Sequence, residues 1–140
     1  MGARKHTTAE KNKEAKKKLY FAKLNNCPSS PRKMRLVAEL IKGKNVELAL
    51  NILQHTPNYA AEKLFKLLKS AIANWQQKNE VVRMEDSHLY VKIVMVDEGR
   101  SLKRVQPAPQ GRAHRIRKRS NHVTIFIDSR VAEETKVETK

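Results

Sequence analysis

The chain has 140 residues, 39% hydrophobic but only 5% aromatic, which suits one domain with a modest aliphatic core. Its 30 Lys and Arg against 14 Asp and Glu give a formal net charge of +16, a self-repulsion that disfavours a compact free protein unless a polyanion neutralises it. An anionic membrane is the weakest such partner, because no apolar run approaches the roughly 20 residues that span a bilayer; the stretch Met1-Gly2-Ala3-Arg4-Lys5-His6 lacks the Ser or Thr at position six that myristoylation needs, no apolar run follows it, and neither a lipidation nor a secretory signal is expected.

In chain order, the first eighteen residues hold seven Lys or Arg, Lys16, Lys17 and Lys18 among them, and almost nothing apolar. With no core to bury, 1–17 is expected to be a disordered basic arm. Leu19 to Leu24 is β-prone and reads as a first strand that stops at Cys27-Pro28-Ser29-Ser30-Pro31. Ser30-Pro31 is a hydroxyl cap followed by a ring whose missing N–H is harmless at the first helical position. Met34, Val37, Ala38 and Ile41 then recur at helical spacing, and Gly43 is placed to close the helix in a left-handed conformation. Arg32, Lys33 and Arg35 lie off this apolar stripe. Asn45 opens a second helix with Val46, Ala49, Leu50 and Leu53 inward. Thr56-Pro57 repeats the cap-then-proline signal for a third, striped by Ala60, Leu64, Leu67, Leu68, Ala71 and Trp75. Core packing is the plain reading of all these apolar residues, Trp75 included.

The period then changes to two. His88 to Val96 alternates, with Leu89, Val91, Ile93 and Met95 on one side, and Val123 to Ile127 matches it. Between these runs, residues 97–122 carry eight cations: Arg100, Lys103, Arg104, Arg112, Arg115, Arg117, Lys118 and Arg119. A structureless loop of this length is unusual in a compact domain. Folding the segment about residue 108 sets 89 opposite 127 and 93 opposite 123, and leaves Gln106, Pro107, Ala108, Pro109, Gln110 and Gly111 at the bend. The expectation is one long antiparallel hairpin over 88–127. Its distal half has no sheet face to rest on, and a two-stranded ribbon is marginal alone in water. Guanidinium groups pair bidentately with phosphate, so a nucleic-acid backbone is the expected support. A loose basic loop is the competing reading.

Catalytic and metal chemistry find no foothold. Cys27 is the only cysteine, which excludes an intrachain disulfide and a multi-cysteine zinc site and fits a reducing cytoplasm. None of the five histidines stands in a metal-ligand motif, and no Gly-rich phosphate loop is present. The neighbours Asp97 and Glu98 point to opposite faces of a strand, which does not make a dyad. The chain is therefore expected to be no enzyme, with no cofactor, no metal and no small-molecule substrate. The expected class is α+β: three helices packed on a small antiparallel sheet, with a long protruding β-hairpin. One domain spans 18–128, and residues 129–140 are expected to be a disordered tail.

Four blocks resemble a known family. Ser30 to Gly43 is similar to the first-helix signature of the ribosomal large-subunit protein twenty-two family, and Ser70 to Asn74 to the end of its third helix. Val96 to Arg104 and Gly111 to Thr124 resemble its hairpin. The resemblance covers about residues 17–128. It implies a structural place in the bacterial large subunit, in the cytoplasm, and a role in subunit assembly. The implied partners are large-subunit ribosomal RNA, neighbouring large-subunit proteins and the nascent peptide passing the tip at 106–111, which would line the exit tunnel. The implied RNA-binding residues are Lys16, Lys17, Lys18, Arg32, Lys33, Arg35, Arg100, Lys103, Arg104, Arg112, His114, Arg115, Arg117, Lys118 and Arg119. Ala108, Pro109 and Gln110 stand where many relatives have basic residues, so charged contacts are expected further back, at Lys103, Arg104, Arg112 and Arg115. The alternative from residues alone is an architectural DNA-binding protein that inserts a proline-tipped β-arm into the minor groove.

Overall fold

A computed structural model describes residues 3–17, 19–79 and 87–130. The architecture is α+β, with three core helices laid on one face of a three-stranded antiparallel sheet. The sheet order is β1 (Tyr20–Cys27), β5 (Asn121–Ser129), β2 (Leu89–Glu98). Strands β3 (Leu102–Pro107) and β4 (Ala113–Lys118) form a separate two-stranded ribbon beyond it.

Helix α2 (Pro31–Ile41) starts behind Ser30 and buries Pro31, Met34, Val37, Ala38 and Ile41, the expected stripe. Gly43 follows its end with φ +74°, a conformation costly for any residue with a Cβ. That turn lets Gly43 N–H donate to Val91 O at 2.8 Å, while Val91 N–H donates to Lys44 O at 2.9 Å. The helix end is thereby stitched to β2. Helix α3 (Val46–His55) buries Val46, Ala49 and Leu53. Thr56 closes this helix instead of opening the next: its N–H and its hydroxyl both donate to Ile52 O, at 3.1 and 2.6 Å. Helix α4 (Tyr59–Lys78) accordingly begins two residues later than the Thr56-Pro57 signal indicates, behind Asn58. Its stripe is buried throughout, including Trp75, which meets Tyr20 edge-on at 6.4 Å.

The sheet's inner face is Ala22 of β1, Val123, Ile125 and Ile127 of β5, and Leu89 and Val91 of β2. Here the expected alternation of β2 is corrected. The register with β5 shifts between Val91 and Ile93, so Lys92 is a bulge and every later side chain changes face. Val94 and Val96 turn inward, and Ile93 and Met95 stand on the outside, 38% and 45% exposed.

The N-terminal arm is also corrected. Residues Ala3–Lys17 form a helix, α1, giving four helices among the described residues where three are expected. Ala, Lys, Arg and Glu are strong helix formers, and that local preference needs no apolar face. Lys78 Nζ donates to Lys17 O and Leu19 O at 3.2 and 3.1 Å, tying the helix end to α4. Strand β5 continues to Ser129, one residue past the expected domain boundary. Residues 131–140, which hold nearly all of the expected tail, lie outside the described residues.

Candidate nucleic-acid interface

The hairpin leaves the sheet where Glu98 pairs with Asn121. Two contacts fix this junction. Asn121, fully buried, donates through Nδ2 to Ser29 O at 2.8 Å, anchoring β5 to the turn before α2. Gly99 N–H donates to Ser120 O at 2.9 Å, and Ser120 Oγ donates to Arg100 O at 2.7 Å. The strands pass so closely that a Cβ on Gly99 would lie 2.5 Å from Ser120 Oγ and 3.1 Å from His122 Nε2. Only glycine fits there without displacing the other strand.

Beyond the junction, β3 and β4 pair from Leu102↔Lys118 to Pro107↔Ala113. Directly opposed residues share a face. One face therefore carries Lys103, Arg115 and Arg117, and the other carries Arg104, His114 and Lys118. Lys103 stands opposite Arg117, a like-charge cross-strand pair that destabilises the ribbon. Every residue of β3 is exposed, and in β4 only Ile116 is partly covered. Leu102 and Val105, the large apolar residues of β3, stay exposed, so among the described residues little apolar burial holds the ribbon.

The tip is a tight reversal. Ala108 N–H donates to Arg112 O at 2.8 Å, and Gln110 and Gly111 both take left-handed φ, +62° and +70°. The bend is centred on residue 110, not 108, because Pro107 pairs with Ala113. The expected pairs 89 with 127 and 93 with 123 become Leu89↔Ser129 and Ile93↔Phe126. A bend at 110 alone would set 89 against 131 and 93 against 127; a one-residue shift between Glu98↔Asn121 and Leu102↔Lys118, and the bulge at Lys92, bring them to 129 and 126.

Twelve of the fifteen expected binding residues fall into three groups. Lys33, Arg100, Arg117, Lys118 and Arg119 converge on one trough of about 1030 Å³ between the hairpin root and the first turns of α2 and α4. Lys103, Arg104, Arg112, His114 and Arg115 extend along the exposed ribbon and its tip. Lys16 and Lys17 lie away from both: α1 enters the sheet beside Tyr20, which pairs with Ile127, at the end opposite the hairpin's exit. Lys18 lies outside the described residues. Arg35 is engaged within the fold, donating through Nη2 to Val96 O at 3.0 Å, and Arg32 is exposed on α2. Tyr59, 54% exposed and lining the trough, escaped the sequence reading. The signal for it is an aromatic residue placed off the apolar stripe at a helix start.

Among the described residues no group of three His, Cys, Asp or Glu is placed to hold a metal, and no helix is long and apolar enough to cross a membrane. Burial pushes the Cys27 thiol above its ordinary value, against the opposing charge of Lys63, and the residue packs in the core.

The model of the family described as Ribosomal protein L22p/L17e matches residues 22–128. The chain belongs to this family. A Large ribosomal subunit protein uL22 from Flavobacterium psychrophilum is 60% identical over 129 residues, 92% of this chain and 94% of its own. That of Christiangramia forsetii is 61% identical over 127 residues (91% and 94%), and that of Bacteroides fragilis 59% over 130 (93% and 95%). The family's members are structural ribosomal proteins and not enzymes. Its matched segment takes in the core helices, the whole hairpin arm and the sheet except the outer ends of β1 and β5, and it begins after α1. Membership favours the ribosomal reading over the architectural DNA-binding alternative.

Proposed function

We propose that this chain is a structural constituent of the large ribosomal subunit in the bacterial cytoplasm, and that its hairpin binds large-subunit ribosomal RNA. The observation that carries the reading is the ribbon Leu102–Lys118. Both of its faces are cationic, one like-charge pair opposes itself across the strands, and among the described residues only Ile116 of the ribbon is partly covered. Such an element is ordered when RNA surrounds it, each guanidinium taking a phosphate and relieving the repulsion. Holding RNA on both faces, it brings segments of the nucleic acid together, which is how the protein would assist assembly. The tip, Gln106 to Gly111, carries no charge and reverses in a tight left-handed turn, which suits a wall past which a nascent peptide slides without sticking. Exposed Arg32 and α1 are left for further RNA and for neighbouring large-subunit proteins. Family membership and about 60% identity to proteins named for the large subunit support the assignment.

Sedimentation of the tagged protein through a sucrose gradient tests it. Migration with the large subunit is expected, and a free pool or one bound to DNA contradicts the assignment. Photo-crosslinking from position 110 to a stalled nascent chain tests the tip; a crosslink to RNA alone removes it from the tunnel wall.

A further inference from the structure

We propose that the trough at the root of the hairpin, which continues the ribbon's surface through Leu102, Arg117 and Lys118, takes a single-stranded RNA segment, with phosphates on Lys33, Arg100, Arg117 and Arg119 and one unstacked base on Tyr59. The inference rests on the ribosomal reading above and adds the form of RNA bound and the residue that recognises it. Five cations line the trough, contributed by α2, by β4 and by the junction residues on both arms, and no carboxylate does. They come from three parts of the chain and meet only in the fold.

Charge alone would suit any anion, but the trough is not uniformly polar. Tyr59, Leu36 and Leu102 are 54%, 62% and 50% exposed and share its wall with the cations. A free phosphate leaves those apolar surfaces wet. A duplex keeps its bases stacked away from them. A single strand covers both kinds of surface at once, its backbone on the cations and a splayed base on the aromatic ring. Tyr59 is prepared for this. Lys63 Nζ sits 4.9 Å from its ring centroid and adds positive charge beside it. The trough is open to solvent and not a closed cavity, and its volume of about 1030 Å³ is at the top of the range of about 300–1,000 Å³ for small-ligand pockets, so a strand passes through without threading. The side chains of Ser30 and Asn58 also line it and neither caps its helix, so a hydroxyl and an amide stand free for the sugar or base edge.

The test uses the full chain with two probes, an oligoadenylate of about 12 nucleotides and an abasic strand of equal length. Tyr59→Ala is expected to weaken oligoadenylate binding by about 5- to 100-fold and to leave the abasic strand unchanged, while Tyr59→Phe keeps both. Arg119→Gln weakens both probes. Equal loss on the two probes, or no loss, overturns the proposal. In assembled subunits, a photo-reactive benzoyl-phenylalanine at position 59 is expected to crosslink to RNA. A crosslink only to protein, meaning that a protein tail fills the trough, or no crosslink at all, overturns it too. Either failure leaves the ribosomal assignment standing if the unsubstituted chain still sediments with the large subunit.

Discussion

The hairpin consists of two lengths of ladder on the same two arms of the chain, and they differ in what supports them. The root, β2 with β5, has β1 beside it and helices over one face, so Val91, Val123 and Ile125 are sealed from water. The distal ribbon, β3 with β4, has the same antiparallel pairing but cations on both faces and no third strand. Backbone hydrogen bonding is similar in the two lengths, so the ladder does not decide the stability of either. The root is ordered by apolar burial, and the ribbon depends on a partner. Gly99 marks the boundary, where close strand contact ends the sheet.

The comparison breaks most visibly in the core. Leu68, fully buried on α4, is expected to cost about 2–5 kcal/mol when changed to Ala, with the RNA salt dependence unaltered once the protein is folded. Urea unfolding followed by circular dichroism reads this. Next, the triple change Lys103→Gln, Arg115→Gln and Arg117→Gln is expected to leave unfolding in place or slightly raise its midpoint. It should reduce the slope of log affinity against log salt by about three. Unchanged titration slopes would mean that these side chains do not meet phosphates. Gly99→Ala pushes Ser120 away from its contact with Arg100 and is expected to cost about 1–3 kcal/mol, an overpacking penalty. Its proton spectrum should show shifts confined to the junction. The smallest effect sharpens the contrast: Lys103→Glu places an opposite charge across from Arg117, worth about 0.2–1 kcal/mol. That variant should order the free ribbon, seen as slower amide exchange at 103 and 117, while binding RNA less well.

Much of this division was legible in the sequence. The stripes of α2, α3 and α4 were readable because residues three and four apart share a face, and the cationic content of 97–122 needed only counting. The bulge was not. A single added residue at Lys92 leaves both flanks alternating, so the switch from Val91 to Val94 on the inner face shows only once β5 is laid beside it. The bend position was missed by two residues because it depends on which residues accept positive φ, and Gln110 gives no warning that it does. Thr56 carries the same hydroxyl at a helix end as at a helix start, and its bonds to Ile52 O decide between them. Helix α1 was missed because an argument from core burial does not address local propensity. The trough was beyond reach, because Tyr59 and Arg119 are brought together by the fold and not by spacing.

Amide hydrogen exchange on the free protein and on its RNA complex tests the central claim most directly. The account predicts that residues 102–118 exchange within seconds in the free chain while α4 stays protected, and that RNA slows the ribbon to the rate of the root. A ribbon already as protected as α4 without RNA would contradict it.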